Sequence, residues 1–384
     1  MLKLQEEEMK ATESRDFRQY LRQPPVMLTV FAVIAVAFFL AVTGLSRAYH
    51  SQRENLGNRW FNRGLADLNT RHFESAITEF RSALLYSRDN YGYQLNLAEA
   101  LIGLKRTGEA SAYLVNLWER QPEDGVVNLE LARIAVQRMQ TEQAERYYHN
   151  AIYAAWPSDQ EAKRRDARLE LIEFLLNISA KAQAQAELIA LSENMGDDPA
   201  QQRRLGDLFL RAQDYEHALT AYHVSLESDR HNQAALAGAG AAAFYLGRYA
   251  VAERYLKAAT AKNPNDASSS ERLKTAELVL RMDPFRHQIS MAQRDRIVVE
   301  AFGAAGQRLK SCGVKATGEP SDLNESWSKL QPRITEGNLR RDPDLVESAM
   351  DVAFRIERQS STMCEPPQGI DMALLLIAKL HEGN

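Results

Sequence analysis

A chain of 384 residues, 45% hydrophobic and 26% charged, has the make-up of a folded protein and room for two or three modules. Its formal net charge of −4 excludes a global basic field that would draw nucleic acid or anionic lipid. Apolar residues recur steadily from Trp60 onward, which excludes disorder over most of the length.

Residues 1–25 form a tail rich in both charge signs, and residues 26–45, VMLTVFAVIAVAFFLAVTGL, contain no charge at all. At about 1.5 Å per residue this run spans the roughly 30 Å hydrocarbon layer, so it predicts one transmembrane helix. A cleaved secretory signal fits poorly, because the leading tail is long and Thr43-Gly44-Leu45-Ser46-Arg47 is a poor small-residue cleavage site. A soluble core helix fits poorly too, since helices of repeat folds keep a polar face. Arg15, Arg18 and Arg22 precede the run and Arg47, Arg53 and Arg59 follow it, so the basic residues give no orientation. The cysteines do. Cys312 and Cys364 lack metal-type spacing and suit a single disulfide in an oxidising compartment, with reduced cytosolic thiols as the alternative. The expectation is a single-pass inner-membrane protein with its N-terminus inside and its larger part in a bacterial periplasm.

Beyond the apolar run the chain repeats. Ala76, Ala110 and Ala144 stand 34 residues apart, and Ala184, Ala218 and Ala252 follow at steps of 40, 34 and 34. Four residues after each alanine comes a large apolar residue: Phe80, Leu114, Tyr148, Leu188, Tyr222 and Leu256. Twelve before it come Gly64, Ala98, Ala132, Ile172, Gly206 and Gly240. Helical offsets put these residues on one face, where small ones let two antiparallel helices close up and the large one fills the space towards the next pair. One such pair cannot bury its apolar face alone, so neighbours must stack. Ser87-Arg88-Asp89-Asn90, Pro122-Glu123-Asp124-Gly125, Gly196-Asp197-Asp198-Pro199 and Asn263-Pro264-Asn265-Asp266 supply the turns between pairs.

Leu236, Gly240, Gly247, Tyr249, Ala252, Leu256, Ala259 and Pro264, and Trp60, Gly64, Phe73, Ala76, Phe80 and Ala83 earlier on, sit at signature positions of the tetratricopeptide repeat family, which the chain resembles. Six units follow: 57–90, 91–124, 125–158, 165–198, 199–232 and 233–266. The fourth departs from the pattern, with Ile172 in place of a small residue, Lys181 at an aromatic position, and the insertion 159–164 before it. A helix at 270–281 reads as the usual cap.

After about Phe285 the period stops. Helices are expected at 293–310, at 322–334, at 342–359 with Asp342 as cap and Pro343 as first residue, and at 370–380, whose run MALLLIAKL should form the centre of a small bundle. A bridge between Cys312 and Cys364 would close a long loop there. The expected fold is all-α: tail 1–25, transmembrane helix 26–45, tetratricopeptide-type α-solenoid 57–284 and helical module 285–384.

Catalytic patterns are wanting. The histidines are scattered, and Glu145 with His149 at helical spacing is too few ligands for zinc. Gly238-Ala239-Gly240 and Gly303-Ala304-Ala305-Gly306 lie in expected helices without a preceding strand, so they read as packing glycines rather than phosphate loops. No cofactor, metal or catalytic residue is expected. Lys163-Arg164-Arg165 and Arg203-Arg204 are too short for a nucleic-acid surface.

What the resemblance implies is a concave wall that holds a protein or peptide. Carried over position by position, the wall is Asn58, Phe61, Leu65, Leu68 and Asn69 in unit one, Leu95, Glu99 and Ile102 in unit two, and Leu129, Arg133 and Gln137 in unit three. Units five and six add Arg203, Asp207, Leu210, Arg211, Ala237, Ala241, Phe244 and Tyr245. The family's carboxylate clamp is absent, since Leu65 stands where its first asparagine is needed although Asn96 fits the second. Several bacterial envelope proteins share the layout of one anchor and a repeat solenoid. A non-enzymatic, membrane-tethered scaffold or adaptor is therefore expected. The alternatives are a chaperone-like factor for exported proteins, or an enzyme assembled in 285–384 from Glu300, Asp351, Arg355 and Glu357.

Overall fold

The computed structural model describes residues 24–154, 156, 160–193, 195–312 and 320–382. The tail with Arg15, Arg18 and Arg22, and Asp159 of the insertion, lie outside the described residues. Among the described residues every regular element is a helix, and the helices divide after Arg168 into two compact units.

The first unit opens with α1, Pro24–Asn69, one unbroken helix of 46 residues. The apolar run and the first helix of repeat one are thus a single rod, because residues 46–56 hold good helix formers and no proline. Then come α2 (Phe73–Leu84), α3 (Tyr91–Gly103), α4 (Thr107–Arg120), α5 (Gly125–Gln137) and α6 (Thr141–Tyr153). Helix α7, Glu161–Asn177, carries the division point, and from Glu161 onward the expected insertion is simply its first turn. The second unit continues with α8 (Lys181–Ser192), α9 (Pro199–Arg211), α10 (Tyr215–Ser228), α11 (Gln233–Tyr245), α12 (Tyr249–Lys262) and α13 (Ala267–Met282).

Close approach explains the small residues. A Cβ on Gly64 would lie 2.6 Å from the Phe80 ring, one on Gly206 would lie 2.8 Å from Tyr222, and one on Gly240 would lie 2.6 Å from Leu256. Each is the expected small residue under the expected large one. The alanines at 76, 110, 144, 184, 218 and 252 are all fully buried. Ile172 is buried as well, so the irregular repeat keeps the register with a larger side chain at that point.

Both turns of the repeat have a chemical cause. First helices start on side-chain caps: Asn90, Asp124, Asp198 and Asn232 each accept a bond from the backbone N–H three residues on. Within repeats the chain reverses through a left-handed residue, at Arg71, Lys105, Met139, Ser179, Gln213 and Gly247, with φ of 61, 61, 58, 63, 64 and 73°. After it, the next N–H reaches back five residues, as from Arg106 to the Leu101 carbonyl and from Gln140 to that of Ala135, both 2.9 Å. This is the Schellman closure of a helix end.

Five more helices complete the second unit: α14 (Met291–Cys312), α15 (Pro320–Leu330), α16 (Glu336–Arg341), α17 (Asp344–Met363) and α18 (Ile370–Leu380). The segment expected to be one helix over 322–334 ends at Leu330 in a 3₁₀ turn, Gln331–Arg333, because Pro332 cannot continue an α-helix. Helix α17 starts one residue later than expected, with Pro343 in the capping position. One apolar cluster runs from Ala243 through Met282 to Ala378, so the expected boundary at 284/285 falls inside a continuous core. Helix α18 packs on α13 as well as on α14 and α17. Its apolar run covers the end of the repeats rather than the centre of a separate bundle. Cys312 and Cys364 are joined as a disulfide with Cα atoms 6.0 Å apart, tying the end of α14 to the end of α17.

Candidate interaction surface

In the first unit the wall positions split by polarity. Asn58, Asn69, Glu99 and Gln137 are exposed, whereas Phe61, Leu65, Leu68, Leu95 and Ile102 are half-buried and pack on the core, and Leu129 is buried. Phe61 sits 5.7 Å from Phe80 and 5.0 Å from Tyr93, ring centre to ring centre, and the Tyr93 hydroxyl donates to Asn58 Oδ1 at 2.7 Å. Arg133 is ion-paired with buried Glu130 one turn before it. The apolar members there spend their surface on holding first helices together, leaving amides and a carboxylate to solvent.

In the second unit Arg203 donates to Asp207 at 2.6 Å and Tyr222 donates to the other oxygen of Asp207 at 2.7 Å. Burial and that bond push the Tyr222 hydroxyl far above the usual phenol range, so it stays a donor. Arg211 pairs with Glu173 at 2.7 Å, Leu210 and Ala237 are half-buried, and Ala241 is buried.

The last two wall residues behave differently. Tyr245 is 49% exposed, stacks on Tyr215 at 4.8 Å, and meets Phe244 edge to face at 5.9 Å. The Arg272 guanidinium lies 5.7 Å from the Tyr245 ring. Phe244, Tyr245 and Arg272, with Ser268, Glu271, Thr275, Met372 and Leu376, line a cleft of about 270 Å³. Tyr215 was within reach of the sequence reading, since it opens its helix as Phe73 and Tyr249 open theirs. Arg272, Met372 and Leu376 carry no repeat-based signal, because the cap and α18 lie outside the period.

The four residues proposed for a catalytic cluster are not gathered. Glu300 and Asp351 are exposed, and Asp351 lies 3.9 Å from Arg355 on its own helix. Glu357 is fully buried and faces Arg308 and Asp371 instead. Its carboxyl is pushed up to about 8, by burial first and the Asp371 charge second, with Arg308 pulling the other way. Neither Glu357 oxygen has a hydrogen-bond partner among the described residues. Among the described residues no group of three or more acidic, His or Cys side chains could hold a metal. The His149 ring stacks on Tyr153. Of the glycine pairs, Gly238 packs under Tyr222 and Gly306 under Trp327, while Gly303 faces open space.

Helix hairpins of a fixed period, closed by small-under-large contacts, define a tetratricopeptide-type α-solenoid. The tetratricopeptide repeat model matches the chain at residues 61–124 and 203–267, about a third of its length. The chain is similar in fold to PilF of Pseudomonas aeruginosa, at 16% identity over 57% of this chain and 97% of that one, with a TM-score of 0.42. It is also similar to the C-terminal part of a tetratricopeptide repeat protein of Cytophaga hutchinsonii, at 14% identity over 62% and 92% of the two chains, TM-score 0.45. A third likeness is to YrrB, a tetratricopeptide protein with an unusual peptide-binding site, at 17% identity over 50% and 95%, TM-score 0.41. No curated protein matches the chain in sequence.

Proposed function

We propose that this protein is a membrane-anchored scaffold or adaptor that binds a protein or peptide partner through its repeats and performs no catalysis. The observation that carries the reading is the cleft at Tyr245. Phe244 and exposed Tyr245 beside a guanidinium, with Met372 and Leu376 in the same lining, offer apolar surface flanked by polar handles. Such clefts anchor side chains of extended peptides or helices, while flanking charges fix the register. The apolar part of α1 supports the tether: by length and composition it can cross a bilayer, and none of its most apolar window is buried in the protein. In this reading the N-terminus lies inside, the repeats occupy the periplasm of a bacterial envelope, and nucleic acid is not a partner. The test is photo-crosslinking in native membranes from positions 245 and 99. One or a few proteins recovered from position 245, and lost on Arg272→Ala, support the adaptor. A broad spread of unfolded exported chains would favour a chaperone-like factor. No adduct at either position would sink both.

A further inference from the structure

The repeats of the first unit have two edges, and α1 leaves from only one of them. On that edge the Arg53 guanidinium donates to the Leu85 carbonyl at 3.1 Å, and Tyr86 packs beside Gly57. The next turn joins on, with the Tyr91 hydroxyl donating to Asp124 at 2.7 Å and Arg120 donating to the Asp89 carbonyl at 3.3 Å. Trp156 closes the row, lying over Gly125 and donating to the Ala151 carbonyl at 2.7 Å. The edge shows Leu85 78% exposed and Tyr153 71% exposed, while Tyr49, 58% exposed, stands on α1 just below it. The opposite edge, at the ends of the first helices, mixes Arg71, Lys105, Arg106 and Arg138 with Glu74, Glu109 and Glu142, and Met139 is the exposed apolar residue among them.

We propose that the loop edge bearing Leu85, Tyr91 and Tyr153 rests on the lipid headgroup surface, so that the first unit stands on the membrane. This deepens the anchored reading and rests on it. Tyrosine prefers the bilayer interface, which places Tyr49 there when the apolar run spans the hydrocarbon. Leu85 is held at the level of Arg53 to Gly57, one to two helical turns or about 6–12 Å further along the unbroken rod. The headgroup layer is itself about 5–8 Å deep, and an ordinary tilt of about 20° lowers one side of the edge by several more ångströms. On this edge Arg120 pairs with Asp89 at 3.9 Å, Arg53 is bonded to the Leu85 carbonyl and Asp124 accepts from Tyr91, so the attraction is aromatic and aliphatic rather than a demand for anionic lipid. A peptide crossing successive first helices would then run along the bilayer instead of into it.

The test uses the full chain in phosphatidylcholine vesicles carrying a nitroxide on the headgroup or at mid-acyl chain. A fluorophore is placed on Leu85→Cys, Met139→Cys or Phe38→Cys without reductant, so that the native disulfide stays closed. The expected result is quenching of at least about two-fold at position 85 by headgroup nitroxide, little at position 139 about 20 Å away, and strong quenching at position 38 by the acyl-chain nitroxide. If 38 is quenched while 85 behaves like 139, the anchor stands and the resting edge is refuted. If 38 is not quenched, the anchor fails and takes this proposal with it.

Discussion

The left-handed residue between paired helices sets a local cost that can be measured. At five of the six turns it carries a side chain, and a non-glycine residue in this conformation costs about 1–2 kcal/mol, partly offset by the extra freedom a glycine loses on folding. Met139 is 91% exposed, so replacing it disturbs little else. Met139→Gly should raise stability by about 0.5–1 kcal/mol in denaturant unfolding. Gly247→Ala should lower it by at least about 1 kcal/mol, since its new Cβ would also meet Leu380. A second residue carries a pH dependence. Glu357 titrates near 8 in the folded chain against an ordinary value of 4.5, so the folded state holds a proton that the unfolded chain has released. Its contribution is therefore complete below about pH 4.5 and is lost as pH rises through 8. Asp371, also pushed up by burial, and Arg308 are the charged groups it faces. Glu357→Gln should leave stability near pH 4 almost unchanged and raise it at pH 9 by a few kcal/mol, at about 1.4 kcal/mol for each tenfold change in proton affinity. Unfolding followed by Trp327 fluorescence across that range reads the slope, and an unchanged slope in the variant would remove Glu357 as its source.

At the scale of elements, the 34-residue period was legible because one packing rule recurs: a small residue under a large one sixteen positions on, as in Gly64 with Phe80 and Gly240 with Leu256. The helix-ending turns were less legible. Their geometry comes from the backbone, and only Gly247 advertises it in its residue type. The C-terminal helices were found, but their partner was not, because an apolar stripe such as that of α18 states that a face is buried without stating against what. Its packing on α13 helps build the Tyr245 cleft, where only Phe244 and Tyr245 of the lining residues belong to the repeat pattern. The disulfide belongs to this scale as well. It spans 52 residues and joins α14 to α17 across a segment that includes two short helices. In the chain-entropy model its loss costs about 4 kcal/mol. Cys364→Ser should lower the unfolding free energy of the second unit by about that amount in non-reducing denaturant, shifting the midpoint down in proportion, and reductant should have no further effect on the variant. Equal midpoints for wild type with and without reductant would show that the bridge contributes nothing.

For the whole molecule, one helix joins the apolar run to the first repeat, so in the anchored reading proposed above the repeats lie on the side of the membrane that residue 57 reaches. The same proposal puts that side in an oxidising compartment, where a disulfide such as Cys312–Cys364 persists. Two labelling reactions separate the possibilities. In cells with only the outer membrane permeabilised, a membrane-impermeant maleimide should modify Met139→Cys, whose side chain stands at an open turn. The same reagent should leave the wild-type chain unmodified until reductant is added, since Cys312 and Cys364 are spent on each other. Modification of Met139→Cys only after the inner membrane is broken would put the repeats in the cytosol. The bridge would then have to be explained without help from its compartment, and the partner sought among cytosolic proteins at the membrane surface. Modification of wild type without reductant, on either side, would mean that the bridge does not form in the cell, and the second unit would lose the stabilisation argued for it above.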